Sequence, residues 1–262
     1  MGWNPQQYLK YESERLRPAL DLIARIPIAA PHTIVDLGCG AGNVARILAD
    51  RFAGATIDGV DGDPAMLARA REATVADARF RWTEADLAAW HPPYPVDLLF
   101  SNAALHWLDD HATLFVALFA KLAAHGVLAV QMPDNHGAPS HVALFETARE
   151  PRWRDRVVSL VRPHRVAPLD DYYGWLQPHA AKLDLWRTTY LQALPWHAEA
   201  EHPVVAWMRG AALTPYAAAL AQDAEAFIGE FAARIVRAYP RRNDGVVLFP
   251  FSRIFIVAQR GG

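Results

Sequence analysis

Asp36-Leu37-Gly38-Cys39-Gly40-Ala41-Gly42 sets three glycines two residues apart at the end of an apolar run. With no Cβ at those positions the chain can turn tightly and come close to a ligand. The third glycine arrives one residue early for the dinucleotide pattern G-x-G-x-x-G, and no Lys-Ser or Lys-Thr follows as in a phosphate loop. Asp61 closes the next apolar run, "IDGVDGDP", where one carboxylate can accept from two adjacent ribose hydroxyls. Asp86 follows a third run in "TEADL". It can accept from an adenine amino group, with Leu87 and Met66 offering apolar faces to the ring. Each acid alone reads as a loop residue or a helix cap. Three such features at the ends of consecutive strands describe one nucleoside site.

The elements that must hold them alternate. "HTIVDLG" reads as a strand, "GNVARILADRF" as a helix, "ATIDGVD" as a strand and "DPAMLARAREA" as a helix capped by Asp63. "ARFRWTEAD" and "VDLLFSN" follow as strands, then a helix at "HATLFVALFAKLAA" and a strand at "GVLAVQMP". This rhythm predicts a parallel sheet covered on both faces by helices. The nearly continuous apolar character of "VDLLF" and "GVLAV" fits strands buried on both sides. Upstream, Asn4-Pro5 reads as a helix start, and Pro18 as the start of a second helix. Past Pro133 the pattern becomes helices and loops with "DDYYGWL" on a helix, then a strand at "LDLWRTTYLQAL". A helical stretch over 198–239 and a last strand, "GVVLFPFSRIFIVAQR", complete the chain.

Composition narrows the class. The chain has 262 residues, is 52% hydrophobic and carries a formal charge of -2. That describes an ordinary globular protein with no electrostatic handle for nucleic acid. A single cysteine, Cys39, rules out an intrachain disulfide and a multi-thiolate metal site. The eleven histidines show no paired metal-ligand spacing, so no metal is expected. No apolar run has the length of a membrane span and the N-terminus has no signal-peptide core. A cytoplasmic protein, monomeric or weakly oligomeric, is expected.

"VDLGCGAGN", "GVDGDPAML", "TEADL", "DLLFSNAALHWL" and "GVLAVQMP", in this order, resemble the class I S-adenosylmethionine-dependent methyltransferases. The resemblance implies a Rossmann-like α/β fold, a seven-stranded sheet with its last strand antiparallel, and S-adenosylmethionine as cofactor with S-adenosylhomocysteine as product. It also implies that Gly38 and Gly40 lie under the methionine part, with Asp61 on the ribose and Asp86 on the adenine amine. Asp36, Asn43, Gly62 and Asn102 flank these motifs and complete the implied cofactor set, while Tyr8 and Arg17 are expected to hold the cofactor's own carboxylate. "WNPQQYLKYESERLRPALDLIARIP", "SNAALHWLDDH", "GVLAVQMPDN", "LDLWRTTY" and "LFPFSRIFIVA" extend the likeness over nearly the whole chain, to trans-aconitate 2-methyltransferases. One methyltransferase domain over 1–262 is implied, with lid helices at about 1–30 and a helical cap insert at about 198–245.

The implied acceptor is a small polycarboxylate. A carboxylic acid of pKa near ~4 is already ionised at neutral pH, so no general base is expected and no residue is assigned as catalytic. Arginines would orient the carboxylates that do not react. The candidates are Arg187 and Arg253, and Arg17 if it does not hold the cofactor's carboxylate, with His106, Trp107, Gln131, Tyr172 and Tyr173 as further substrate contacts. "HPPY" at 91–94 looks like the signature of amino-group methyltransferases, but it precedes the fourth strand instead of following it and reads as a proline-rich loop. Two alternatives stand beside this reading. One is a methyltransferase of the same fold acting on a natural-product hydroxyl or amine, for which His106 would be the base. The other is a nonenzymatic nucleoside-binding module.

Overall fold

The computed structural model describes residues 12–161, 163–197 and 199–262. Two compact units divide them. The sheet unit comprises Leu16–Pro133, Arg165–Thr188 and Arg253–Gly262, and the helical unit contains Asp134–His164 and Thr189–Ser252.

In the sheet unit, α1 (Glu12–Ala24) precedes β1 (Thr33–Leu37), α2 (Asn43–Arg51), β2 (Thr56–Asp61), α3 (Pro64–Ala73) and β3 (Phe80–Glu84). β4 (Val96–Asn102), a short 3₁₀ turn (Leu105–Trp107), α4 (His111–Ala120) and β5 (Leu122–Pro133) follow. Farther on come α7 (Leu169–Leu176), β6 (Ala180–Pro195) and β7 (Val246–Arg260), the two strands lending residues to both units. The order is β3-β2-β1-β4-β5-β7-β6. β1 to β5 pair in parallel, and β7 runs antiparallel to β5. Strand order reverses between β1 and β4, which makes the carboxyl ends of these two strands the natural ligand edge.

α1 is one helix that runs through Pro18, where two helices were expected. Pro18 lies inside this helix and removes one backbone hydrogen bond, yet the helix continues past it to Ala24. Ala19, Leu22, Ile23 and Ile26 form its buried stripe. Asn4-Pro5 lies outside the described residues.

The helical unit contains α5 (Pro139–Arg149), α6 (Arg154–Val157), α8 (Pro203–Arg209), α9 (Thr214–Leu220) and α10 (Ala224–Ala238). Its core joins Leu144, Trp153 and Val157 to Trp207, Phe227 and Phe249. It therefore draws on residues well upstream of the 198–245 insert expected from sequence. Trp153 meets Phe227 edge-on at 5.6 Å and donates its indole N–H to Glu230 at 2.7 Å. No helix among the described residues is long and apolar enough to cross a membrane.

Candidate active site

The glycine turn is built from backbone. Gly38, Gly40 and Gly42 have φ of 77°, 54° and 76°, a region that costs other residues strain. Gly38 and Cys39 donate their amides to the carbonyl of Val60 at 2.8 and 3.2 Å, tying the turn to β2. The three glycines serve different neighbours. A Cβ on Gly38 would stand 2.1 Å from the Cβ of Ala104, and one on Gly42 would stand 2.6 Å from the Trp82 ring. A Cβ on Gly40 would meet no protein atom within 4 Å. Gly38 thus makes room for the protein's own loop. Gly40 presents a bare backbone to open space.

Asp61 closes the turn from the other side. One oxygen accepts from Gly40 N at 2.8 Å and the other from Asp63 N at 2.9 Å. A carboxylate has about four lone-pair sites, so each oxygen keeps one for a further donor. Asp63 caps α3 through Ala65 N and Met66 N, with Pro64 in the first turn. This fixes half-buried Met66 beside the exposed Gly62. Asp86 is exposed and accepts from Ala88 N at 3.0 Å, with half-buried Leu87 next to it. Asn43 opens α2, and its side-chain oxygen accepts from Arg46 at 2.9 Å.

Asp36 is 2% exposed, and its Oδ2 has no hydrogen-bond partner. Burial first, and then the neighbouring Asp61, push its carboxyl up to about 7. Burial, Asp36 and Asp61 also raise the Cys39 thiol above its ordinary value, so it stays a neutral S–H and makes a poor nucleophile.

A second cluster forms at the carboxyl ends of β4 and β5 and the middle of β7 beside them. Asn102 pairs in register with Gln131, and Gln131 with Phe255. Arg253, two residues from Phe255, shares the face of Gln131. Gln131 is 1% exposed and Arg253 7%. Asn102 Oδ1, His106 Nδ1 and both side-chain atoms of Gln131 are enclosed without hydrogen-bond partners. Buried polar atoms are nearly always satisfied, so this concentration marks a place built to meet a polar ligand. His106 is pushed down to about 3, by burial first and then by Arg253 and His111. Trp107 is exposed, its ring centre 4.6 Å from that of His106.

Other candidates lie elsewhere. Tyr172 is fully buried on the opposite face of β5 and β7, among Val130, Met132, Ile254 and Ile256. Its hydroxyl engages His111 Nδ1 at 2.5 Å and accepts from Ala167 N at 3.2 Å. It is a core residue and cannot reach substrate. The next residue, Tyr173, is more than half exposed on α7. Arg17 on α1 and Arg187 on β6 are both exposed, so neither provides the desolvated cation that Arg253 does. Tyr8 lies outside the described residues.

Two contributors escaped the sequence. Ala103, at φ 55°, turns the chain after β4 and brings Ala104 against Gly38; no side-chain type signals this. Trp82 covers Gly42 and Gly59, and those two glycines were its only trace. The "HPPY" loop borders a cleft of about 710 Å³ with Asp58, Arg81 and Trp90, which meets the predicted site only at Asp86. No group of three or more metal-ligating side chains gathers among the described residues.

Comparison with known proteins places the chain in a family. A family model described as a methyltransferase domain matches residues 34–126, the stretch that carries the glycine turn and the two acids. The YcgJ protein of Bacillus subtilis shares the fold at a TM-score of 0.60 and 15% identity, over 94% of this chain and 99% of its own. Phosphoethanolamine N-methyltransferase 2 of Haemonchus contortus, solved with S-adenosyl-L-methionine, does so at 0.58 and 18%, over 94% of this chain and 53% of its own. Among curated proteins, the trans-aconitate 2-methyltransferase of Azoarcus sp. (strain BH72) is 45% identical over 98% of this chain and 99% of its own. That of Methylobacterium nodulans is 44% identical over 98% of each chain. That of Rhizobium etli is 42% identical over the full length of both. Identity of this extent, spanning the glycine turn and the buried cluster alike, shows that the chain belongs to the trans-aconitate 2-methyltransferase family.

Proposed function

We propose that the protein transfers the methyl group of S-adenosylmethionine to one carboxylate of trans-aconitate, leaving a methyl ester and S-adenosylhomocysteine. The observation that carries the acceptor half is Arg253, a buried cation on the same face as the unsatisfied amide of Gln131. Such a pair suits a carboxylate and has no use for a neutral ring. The residues at the glycine turn fit the cofactor. Gly40 gives a ligand a cradle that any Cβ would intrude on, and Asp61 keeps lone pairs for the ribose. Asp86, with Leu87 and Met66, takes the adenine.

When bound, S-adenosylmethionine supplies a methyl group activated by its sulfonium. The chain's own residues supply position and dryness. Arg253 and Gln131 hold a carboxylate that does not react, because a cation clamped on the attacking one would stabilise the ground state. Fixing the acceptor in line contributes the proximity advantage. Exclusion of water favours a step in which opposite charges cancel. His106 does not take a proton. Held down to about 3, it is too weak a base at neutral pH and stays a neutral imidazole whose N–H can donate to the acceptor. This counts against a hydroxyl acceptor, which needs a base. Cytoplasmic residence, a monomer or weak homo-oligomer, and no role for nucleic acid belong to the same reading, supported by the single cysteine and the charge of -2.

The test is transfer of label from S-adenosylmethionine to a panel of trans-aconitate, cis-aconitate, citrate and a phenolic acceptor. Base-labile ester on trans-aconitate at the highest kcat/KM is expected. Preference for the phenol would overturn the reading.

A further inference from the structure

The residue before the end of β1 is an acid only 2% exposed. The register partners of Asp36 are Gly59 on β2 and Phe100 on β4, and Gly59 is in turn partnered by Trp82 on β3. The side chains of such partners share a face, so Asp36 lies in one row with two large aromatics. Its Oδ2 finds no donor there. Asp61, the nearest acid, has spent one lone pair of each oxygen on the amides of Gly40 and Asp63. Among the described residues, the titratable groups acting on Asp36 are Asp61 from β2 and Cys39 from the turn. The partner presented by β4 is the uncharged Phe100. An ionised Asp36 would thus face a second acid with no donor on Oδ2 and little solvent. A cation over the turn changes that balance, because opposite charges attract most strongly where water is excluded.

Resting on the reading that S-adenosylmethionine binds over the glycine turn, we propose that Asp36 senses ligand charge. Below neutral pH it is a neutral acid in the free protein, ionises when the sulfonium is bound, and takes a proton back once the sulfur is a neutral thioether. The proton passes to solvent on binding and returns from solvent after transfer. Carboxylate plus sulfonium gives ester plus thioether with no net proton, so the cycle closes. The consequence is discrimination: the charged cofactor gains a counter-ion that the product does not keep, and release of product is favoured.

The sign follows from linkage. A carboxyl pushed up to about 7 is protonated in the free protein at pH 6. Binding of the sulfonium there must expel the proton. Its Kd should therefore rise as pH falls below 7, by up to about tenfold per pH unit. S-adenosylhomocysteine has the same ammonium and carboxylate but a neutral sulfur, and its Kd should change much less.

Titration calorimetry of the full chain at pH 6, in buffers of different ionisation enthalpy, counts the protons. S-adenosylmethionine should release close to one, and so should sinefungin, which carries an ammonium in place of the sulfonium. S-adenosylhomocysteine should release far less. Asp36→Asn should abolish the difference, and the wild-type Kd series from pH 6 to 8 serves as an independent check should that variant not fold. Equal release by cofactor and product, or a Kd for S-adenosylmethionine that is flat with pH, would overturn the proposal while leaving the cofactor reading intact. Failure of S-adenosylmethionine to bind at any pH would overturn both.

Discussion

The carboxyl ends of β1, β2 and β3 and those of β4 and β5, with the stretch of β7 around Arg253 beside them, are parts of one sheet edge, yet they are built differently. The first half is shaped by backbone: glycines at positive φ, amides on the Val60 carbonyl, and an Asp61 carboxylate bridging Gly40 and Asp63. The second half is shaped by side chains on neighbouring strands, Asn102, Gln131 and Arg253, with His106 on the turn beyond, and it holds enclosed polar atoms without partners. A backbone cradle is complete before its ligand arrives. A set of unsatisfied side chains is complete only with a ligand present. Substitutions in the first half should therefore act on cofactor affinity, and those at Gln131, Arg253 and His106 in the second on acceptor turnover.

Arg253→Met offers the sharpest separation. It keeps much of the aliphatic bulk and removes the buried charge. An uncompensated buried charge costs roughly 3–5 kcal/mol, here the acceptor's own carboxylate once its partner is gone. The kcat/KM for trans-aconitate should fall by about 10²–10⁴-fold while calorimetric affinity for S-adenosylmethionine stays within about twofold. A comparable loss of cofactor affinity would erase the division between the halves.

Gly40→Val and Gly38→Ala break the comparison from the other side, and within a single turn. Valine at Gly40 puts its side chain where the ligand is proposed to lie, and cofactor affinity should fall on the order of 100-fold or more. Because no protein atom lies within 4 Å of that Cβ, the fold should lose only the strain of positive φ, about 1–3 kcal/mol. Alanine at Gly38 collides with Ala104, so overpacking adds a further ~1–3 kcal/mol and thermal stability should fall more. Paired melting curves and calorimetry on the two variants decide it; equal melting temperatures would contradict the division of labour among the glycines.

Asp61→Ala should weaken cofactor binding by about 1.5–3 kcal/mol, the scale of charge-assisted hydrogen bonds, or roughly 10- to 150-fold. It also leaves the amides of Gly40 and Asp63 without their acceptor, so a lower melting temperature should accompany the loss. Normal affinity in a folded variant would remove Asp61 from the site.

The same contrast explains what the sequence made readable. Gly38, Gly40, Asp61 and Asp86 sit in short contiguous motifs at strand ends, so local patterns were enough to nominate them. The sheet was legible for a similar reason, since alternating strands and helices leave few topologies. The second cluster joins residues 102, 106, 131 and 253, which only the register of β4, β5 and β7 brings together. Arg253 could be nominated but not ranked above Arg187, because nothing local separates a buried arginine from an exposed one. Tyr172 misled through its neighbour: "DDYYGWL" has two adjacent tyrosines, and helix phase sends one into the core and the other outward. The helical unit was underestimated because its core joins segments on either side of β6, a long-range match that no periodicity displays.

His106→Gln should have the smallest effect, and it tests whether the acceptor half does any proton chemistry. Glutamine keeps a polar group of similar reach and cannot serve as a base. Removing a true general base costs ~10²–10⁴-fold; here a loss below about tenfold is expected, from altered placement alone. Because burial and Arg253 hold His106 down to about 3, the wild-type rate at saturating cofactor should show no limb from it between pH 6 and 9, and the variant profile should be parallel. Stability carries the opposite signature. An unfolded histidine takes a proton near pH ~6.5, whereas the folded one resists until about 3. The unfolded state then binds more protons over that interval, and His106 costs the fold stability as pH falls through it. His106→Gln lacks this cost, so its melting temperature should drop less than that of wild type between pH 7 and 5. A wild-type rate limb near pH ~6.5 that vanishes in the variant would return His106 to the role of base, and with it a hydroxyl acceptor.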